Sequence, residues 1–351
     1  MNKLKTNYMG IELKNPIILG ACNLTTDPDN LKKAEEFGAA AIVYRSLFEE
    51  QIQLESLQLD EKLNEFNDLH AEMVQIHPNI EHAGPDEHLM SLRKAKESLT
   101  IPLIASLNAV NNDTWLKYAG LLSQTGIDGI ELNFYQIPLD FSRNAGDVED
   151  SQINILKEIR KNISIPVSVK LSPDYSNILN FIKKLDNEGA DAFVLFNSFF
   201  QPDIDVINEE HIKSSHLSNV GDYKKSLRYA GLLYDNIKAD ICSSHGITNG
   251  KDVIKLLLSG ASCVQVVSTI YKNGLSQIKN IEHELVEWMD SKNYKSVDEF
   301  KGKLSKNKLN SNPFIYKRAQ YVDLLLNSEE IFASGGSTRI SPPVGLIGNK
   351  R

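Results

Sequence analysis

Eight short apolar runs, each trailed by a helix-like stretch, constrain this chain more than any other feature. They cover residues 17–19, 40–43, 103–107, 129–132, 167–171, 192–196, 241–243 and 262–266. None shows a clean alternation of apolar and polar residues. Strands covered on both faces read this way, so the pattern predicts a parallel sheet. Amphipathic stretches at 31–37, 116–124, 153–163, 178–189, 223–237 and 253–259 lie between the runs. Eight strand–helix units predict an α/β fold, a closed (β/α)8 TIM barrel with insertions at its C-terminal face. The rival, a doubly wound open sheet, lacks a Gly-x-Gly-x-x-Gly after an early strand.

Glycine punctuates the units. Gly38, Gly126, Gly189 and Gly260 each follow a helical stretch and directly precede a strand. That position favours the left-handed conformation that ends a helix. These turns belong to the stability end of a barrel, opposite its chemistry.

Three connections exceed what a barrel needs, at 47–100, 134–150 and 197–222. Each follows the C-terminal end of a strand, so all three are expected to crown the catalytic face. The expected organisation is a barrel over 1–290, including the long insertion 47–100, and a C-terminal extension over 291–351 packed on it. Within that extension, 312–331 is expected to hold a docked helix. Gly335-Gly336-Ser337 and Ser341-Pro342-Pro343 mark a loose tail.

The formal charge of −8 argues against a broad nucleic-acid or anionic-membrane surface. No stretch approaches the roughly twenty apolar residues of a membrane span, and the N-terminus lacks a signal-peptide pattern. Cys22, Cys242 and Cys263 are too dispersed for a disulfide framework or a zinc or iron–sulfur ligand set. A soluble, cytoplasmic protein is expected. His77, His82 and His88 have neither His-Glu-x-x-His spacing nor an unbroken helix between them. They are expected in a solvated loop, and no metal site is expected.

Several residues at strand ends carry chemistry. Asn133 ends the fourth strand and Asn197 the sixth. A carboxamide there offers a donor and an acceptor to a planar heterocycle, or else caps nearby backbone. Lys170 lies in an apolar strand and needs an anion or polarised acceptor to offset its burial, whether a reduced cofactor or a structural carboxylate. Arg45 and Ser46 close the second strand and suit a carboxylate or phosphate, or an ion pair with the acidic residues that follow. Gly246, with Ser268 or Thr269, suits a phosphate after strands seven and eight. His245 either touches that ligand or is structural. Tyr135 and Gln136 are expected to face the pocket. A tyrosine whose pKa is lowered can transfer a proton, whereas glutamine cannot act as a general base.

Several motifs resemble those of the dihydroorotate dehydrogenase family. They are Tyr8-x-Gly10-x-x-Leu13-x-Asn15-Pro16, Gly129-Ile130-Glu131-Leu132-Asn133, Val169-Lys170-Leu171, Phe196-Asn197-Ser198, Gly246-Ile247-x-x-Gly250-x-Asp252 and Leu258-x-Gly260-Ala261-Ser262-x-Val264-Gln265-Val266. The resemblance covers residues 5–305 and implies an FMN-binding barrel that oxidises dihydroorotate, an enzyme of pyrimidine biosynthesis. It implies that Asn133, Lys170 and Asn197 contact FMN or substrate, and that Gly246 and the Ser268 region hold the flavin phosphate. Arg45-Ser46 occupies the family's Lys-Ser pair beside the flavin.

The departures fall at the ligand end. Phe134-Tyr135-Gln136-Ile137-Pro138 replaces the usual Leu-Ser-Cys-Pro-Asn, so Gln136 stands at the catalytic-base position. Gly20-Ala21-Cys22 replaces Ala-Ser-Gly, which leaves Ala21 in a cofactor-contact segment. His245 and Val267 replace phosphate-loop glycines. The expectation is an FMN-dependent oxidoreductase acting on dihydroorotate or a related cyclic substrate, with Tyr135, Lys170 and Gln136 as the catalytic set. Alternatives are a same-fold flavoenzyme acting on another cyclic amide or enone, and a non-catalytic flavin- or phosphate-ligand-binding barrel. Partners implied are a small-molecule substrate, a second copy in a homodimer and a separate electron-transfer protein. Fumarate, nicotinamide through another subunit, oxygen and a quinone remain open as acceptors.

Overall fold

A computed structural model describes residues 3–52, 85–198, 202–213 and 217–309, with 316, 317 and 322. The chain divides into two compact units, residues 1–308 and 309–351. The expected helix within 312–331 and the terminal tail lie outside the described residues, apart from those three positions.

Twelve strands are described. β1 (Thr6–Tyr8) and β2 (Ile11–Leu13) pair as an antiparallel hairpin. β3 (Ile17–Leu19), β4 (Ala41–Phe48), β5 (Leu103–Asn108), β6 (Gly129–Phe134), β7 (Val167–Leu171) and β8 (Ala192–Leu195) are successive barrel strands. β9 (Pro202–Asp205) and β10 (Glu210–Lys213) form a second antiparallel hairpin. β11 (Asp240–Ser244) and β12 (Cys263–Val266) complete the barrel. Its eight parallel strands close in the order β11-β12-β3-β4-β5-β6-β7-β8. All eight apolar runs are barrel strands, with ends that differ by up to five residues.

Among the described residues the helices include α1 (Pro28–Glu36), α2 (Pro85–Ser98), α3 (Asn112–Ser123), α4 (Ala145–Asn162), α5 (Ile178–Asn187), α6 (Lys224–Leu233), α7 (Gly250–Ser259), α8 (Ser268–Asn273) and α9 (Gln277–Ser291). Their starts are chemically marked. Asn144 and Asp147 form a reciprocal capping box on α4, and Asn249 accepts from the Asp252 N–H on α7. Gly38, Gly126, Gly189 and Gly260 all have positive φ, as a left-handed helix stop requires. α2 is the crossover between β4 and β5, so residues 85–98 of the expected insertion are an ordinary barrel helix.

Strand parity divides the core in two. Ile42, Leu103, Ile130, Leu132, Val167, Val169, Phe193 and Leu195 point outward and pack under the helices. Ile18, Ala41, Val43, Ile104, Ala192, Val194, Cys242 and Cys263 point inward, joined by Tyr8, Met9 and Leu13 from the β1–β2 hairpin, which plugs the floor. Met9 fits because Gly129 has no side chain; a Cβ there would lie 2.7 Å from the Met9 terminal carbon. Toward the mouth the inward positions become polar. Glu131 and Asn133 on β6, Ser168 and Lys170 on β7, and Gln265 on β12 alternate with aliphatic neighbours. The alternation missing from the sequence reading is therefore present, but its polar face lines a closed interior filled by side chains instead of facing solvent.

Residues 292–308 belong to the first unit. The N–H groups of Gly302, Leu304 and Lys306 donate to the carbonyls of Leu257, Leu258 and Gly231, tying this segment to α6 and α7.

Candidate active site

The mouth of the barrel carries a groove made of two joined chambers. One, of about 510 Å³, is lined by residues that include Cys22, Arg45, Ser46, Phe48, Asn133 and Tyr135. The other, of about 180 Å³, includes Ser218, His245, Gly246, Gln265, Val267 and Ser268. Ala21, Lys170, Asn197 and Ser198 line both, so the chambers meet over Lys170. The volume of the larger lies within the roughly 300–1,000 Å³ usual for small-molecule sites.

The site is built from strand ends. Asn133 on β6 stands opposite Lys170 on β7 in the strand register. The Asn197 side-chain N–H donates to the Asn133 side-chain oxygen at 2.8 Å, and Asn108 donates to the Asn133 carbonyl at 2.8 Å. Both carboxamides of the sequence reading are thus present, mutually oriented, with Asn197 half-buried. At the end of β4 the register shifts between Tyr44 and Leu47. This irregularity lets consecutive residues, Arg45 and Ser46, both reach the groove. The Ser46 hydroxyl lies 2.6 Å from that of Ser106. Among the described residues no carboxylate pairs with Arg45; of the acidic residues named as its alternative partner, those beyond residue 52 lie outside the described residues.

Lys170 has the most ordered surroundings. Its Nζ donates to Gln265 Oε1 at 3.2 Å and lies 3.3 Å from Glu131 Oε1. Gln265 Nε2 in turn donates to Glu131 Oε2 at 2.5 Å. Cys22 is half-buried, and burial pushes its thiol up despite nearby backbone N–H groups and the Lys170 charge.

At the other end His245 and Gly246 both have positive φ, +73° and +71°. A Cβ on Gly246 would lie 2.5 Å from the Tyr223 nitrogen. His245 Nε2 stands 3.4 Å from Asp222 Oδ2. Burial lowers the His245 pKa, and Asp222 opposes that shift. The Ser268 hydroxyl accepts from the Ser218 N–H at 3.0 Å. Thr269 is buried and donates to the Thr248 carbonyl, so the structure does not bring its side chain to the groove. Gln136 is also absent from the lining of either chamber.

Of the three histidines expected in a solvated loop, His77 and His82 lie outside the described residues. His88 is instead buried on α2 against Tyr44, with its ring edge-on at 5.3 Å. The helix starts at Pro85, which turns His88 inward with Leu89 and Leu92. Among the described residues no cluster of three or more metal-ligating side chains occurs, and no helix is long and apolar enough to cross a membrane.

Sequence reasoning passed over Glu131, Gln265, Asn108 and Ser106. The available signal was a carboxylate or carboxamide between two aliphatics on a barrel strand, as in Ile130-Glu131-Leu132 and Val264-Gln265-Val266.

Comparison with known proteins places this architecture among barrel oxidoreductases. The family described as dihydroorotate dehydrogenase matches over residues 78–289. The catalytic subunit of dihydroorotate dehydrogenase B (NAD(+)) from Thermoplasma volcanium is 29% identical over 307 residues, covering 86% of this chain and 98% of that protein. The proteins of the same description from Thermoplasma acidophilum and Methanocaldococcus jannaschii are 28% and 25% identical, covering 86% and 83% of this chain and 99% and 94% of theirs. The chain belongs to the dihydroorotate dehydrogenase family.

Proposed function

We propose that this chain is an FMN-dependent oxidoreductase that oxidises dihydroorotate or a closely related cyclic substrate. The observation that carries this reading is the two-chamber groove meeting over Lys170, with a left-handed loop at one end and Arg45 at the other. When bound, FMN accepts a hydride from a substrate C–H bond.

The residues present fit that cofactor. His245 stands where the family has glycine, yet its backbone takes a glycine-type φ of +73°. The loop path is kept while the side chain changes, and the Gly246 N–H with the Ser268 hydroxyl suits a phosphate. Ala21 walls the groove between its ends. Lys170 supplies fixed positive charge where a reduced ring gathers negative charge. Asn133 and Asn197 orient the planar ligand through their coupled carboxamides. In the larger chamber Arg45 binds the substrate carboxylate, and Tyr135, acting as its phenolate, accepts the substrate proton, since Gln136 is neither basic nor on the lining. The curated relatives are named as catalytic subunits of an NAD(+) enzyme. This supports an electron-transfer partner subunit here too.

Arg45, Phe48 and Tyr135 beside Asn133 also favour a second reading, a same-fold flavoenzyme for another carboxylated ring. The test is to reconstitute the purified protein with FMN and mix it anaerobically with dihydroorotate, dihydropyrimidines and cyclic enones. Bleaching of flavin absorbance by dihydroorotate supports the first reading. Bleaching only by another substrate supports the second. Failure to take up FMN at all sinks both.

A further inference from the structure

The interior of a barrel is a poor place for a free carboxylate. Glu131 is 1% exposed, and among the described residues its ion-pair partner is Lys170. Its Oε2 accepts from Gln265 Nε2, and Gln265 Oε1 accepts from Lys170 Nζ. The three side chains therefore close a ring across β6, β7 and β12. The ring fixes the orientation of the Gln265 carboxamide, because only its oxygen can face the ammonium and only its nitrogen the carboxylate. It also holds the ammonium by one hydrogen bond, to Gln265, and by the charge of Glu131, whose Oε1 lies 3.3 Å away without accepting a hydrogen bond. An ammonium has three N–H groups; Lys170 commits one as a hydrogen bond to Gln265, and because it borders both chambers the ammonium still has N–H groups to offer the groove.

We infer that Glu131 and Gln265 are positioning residues that hold Lys170 as a fixed cation and turn its free N–H groups toward the ligand. This goes beyond the proposed function, on which it rests only for the identity of that ligand. A lysine buried without its carboxylate is neutralised more readily than it is left charged. With Glu131 and Gln265 in place, Lys170 is an electrostatic stabiliser and not a proton acceptor, which leaves proton removal to the Tyr135 side of the groove. The other ionisable groups acting on the ring are Cys22 after β3, whose thiol feels the Lys170 charge, and Tyr8 from the floor hairpin, whose phenol feels Glu131. Burial holds both above their ordinary range, so neither brings a further negative charge to the ring.

The experiment reads the amine directly, without cofactor. Apo protein is treated with N-hydroxysuccinimidyl acetate at pH 8, and acetylation of Lys170 is followed by peptide mass spectrometry. A charged amine is not nucleophilic. Glu131→Gln is expected to raise the rate at least tenfold, while Glu131→Asp stays within about threefold of wild type. Gln265→Met, which keeps the carboxylate, gives a smaller rise and serves if Glu131→Gln does not fold. Equal rates in folded wild type, Glu131→Gln and Gln265→Met would overturn the proposal and leave the ring a purely structural ion pair. In FMN-loaded protein, Glu131→Gln is expected to lower the ratio of reduced to oxidised flavin about tenfold at fixed potential, or about 30 mV for a two-electron couple. An unchanged ratio beside a raised acetylation rate overturns the aim at flavin but not the charge-holding role. Failure to bind FMN overturns the cofactor reading alone.

Discussion

The side chain of Asn197 donates to the side-chain oxygen of Asn133 across the barrel mouth, joining the ends of the sixth and fourth barrel strands. The contact locks which atom of each carboxamide is left for a ligand. Asn133→Ala and Asn197→Ala should therefore be non-additive. A double-mutant cycle on FMN affinity, measured by fluorescence quenching, is expected to give a coupling of about 1 kcal/mol. Strict additivity would show that the two amides act separately.

Arg45 is expected to read a carboxylate. Arg45→Ala should raise KM for a carboxylate-bearing substrate by roughly tenfold to a hundredfold, the worth of a charged hydrogen bond of about 1.5–3 kcal/mol. An analogue without the carboxylate should show no such change. Steady-state kinetics on the pair of substrates decides it.

Tyr135 and Gln136 are neighbours with different outlooks, since only the first lines the larger chamber. Tyr135→Phe is expected to lower kcat on the order of a hundredfold, within the range of general-base contributions. Gln136→Leu is expected to change it less than about threefold. A large loss from Gln136→Leu with little from Tyr135→Phe would return the proton-transfer role to the family's usual position.

Much of this was legible in the sequence. The barrel strands announced themselves because burial on one or both faces selects aliphatic runs, and each helix stop was marked by glycine. Asn133, Lys170 and Asn197 were legible because polar groups at the ends of apolar strands are costly without a partner. Glu131 and Gln265 were not, because the partners that satisfy them come from strands 134 and 95 residues away in the hydrogen-bonded pairs. Thr269 was placed in the groove because a hydroxyl beside Ser268 reads the same in sequence, whereas one further step around a helix turns it onto the Thr248 carbonyl. His88 was read as solvated because its charged neighbours conceal the inward stripe of α2.

That buried histidine makes stability depend on pH. Burial first, and the Arg45 charge second, lower its pKa from 6.5 to about 4. The unfolded chain thus takes up a proton that the folded chain refuses between these values. Stability is fully present above about pH 6.5 and falls as pH drops toward 4, by up to about 3 kcal/mol. Urea unfolding between pH 4 and 7 should show this slope, and His88→Phe should flatten it.

Gly246→Ala addresses the left-handed loop. The new Cβ would sit 2.5 Å from the Tyr223 nitrogen at a φ of +71°. A loss of about 2 kcal/mol or more is expected from the combined strain and crowding, read as a lower Tm together with weaker FMN binding.

The ring of Lys170, Glu131 and Gln265 has a consequence for how the protein comes into being. Gln265 sits on β12, the last barrel strand in chain order, whose pairing with β3 joins the two ends of the sheet. During synthesis β6 and β7 emerge long before it. Until the final strand docks, Glu131 and Lys170 have no amide between them and the groove has no far wall. A nascent or truncated chain therefore cannot display the finished cation, and ligand binding reports that the barrel has closed.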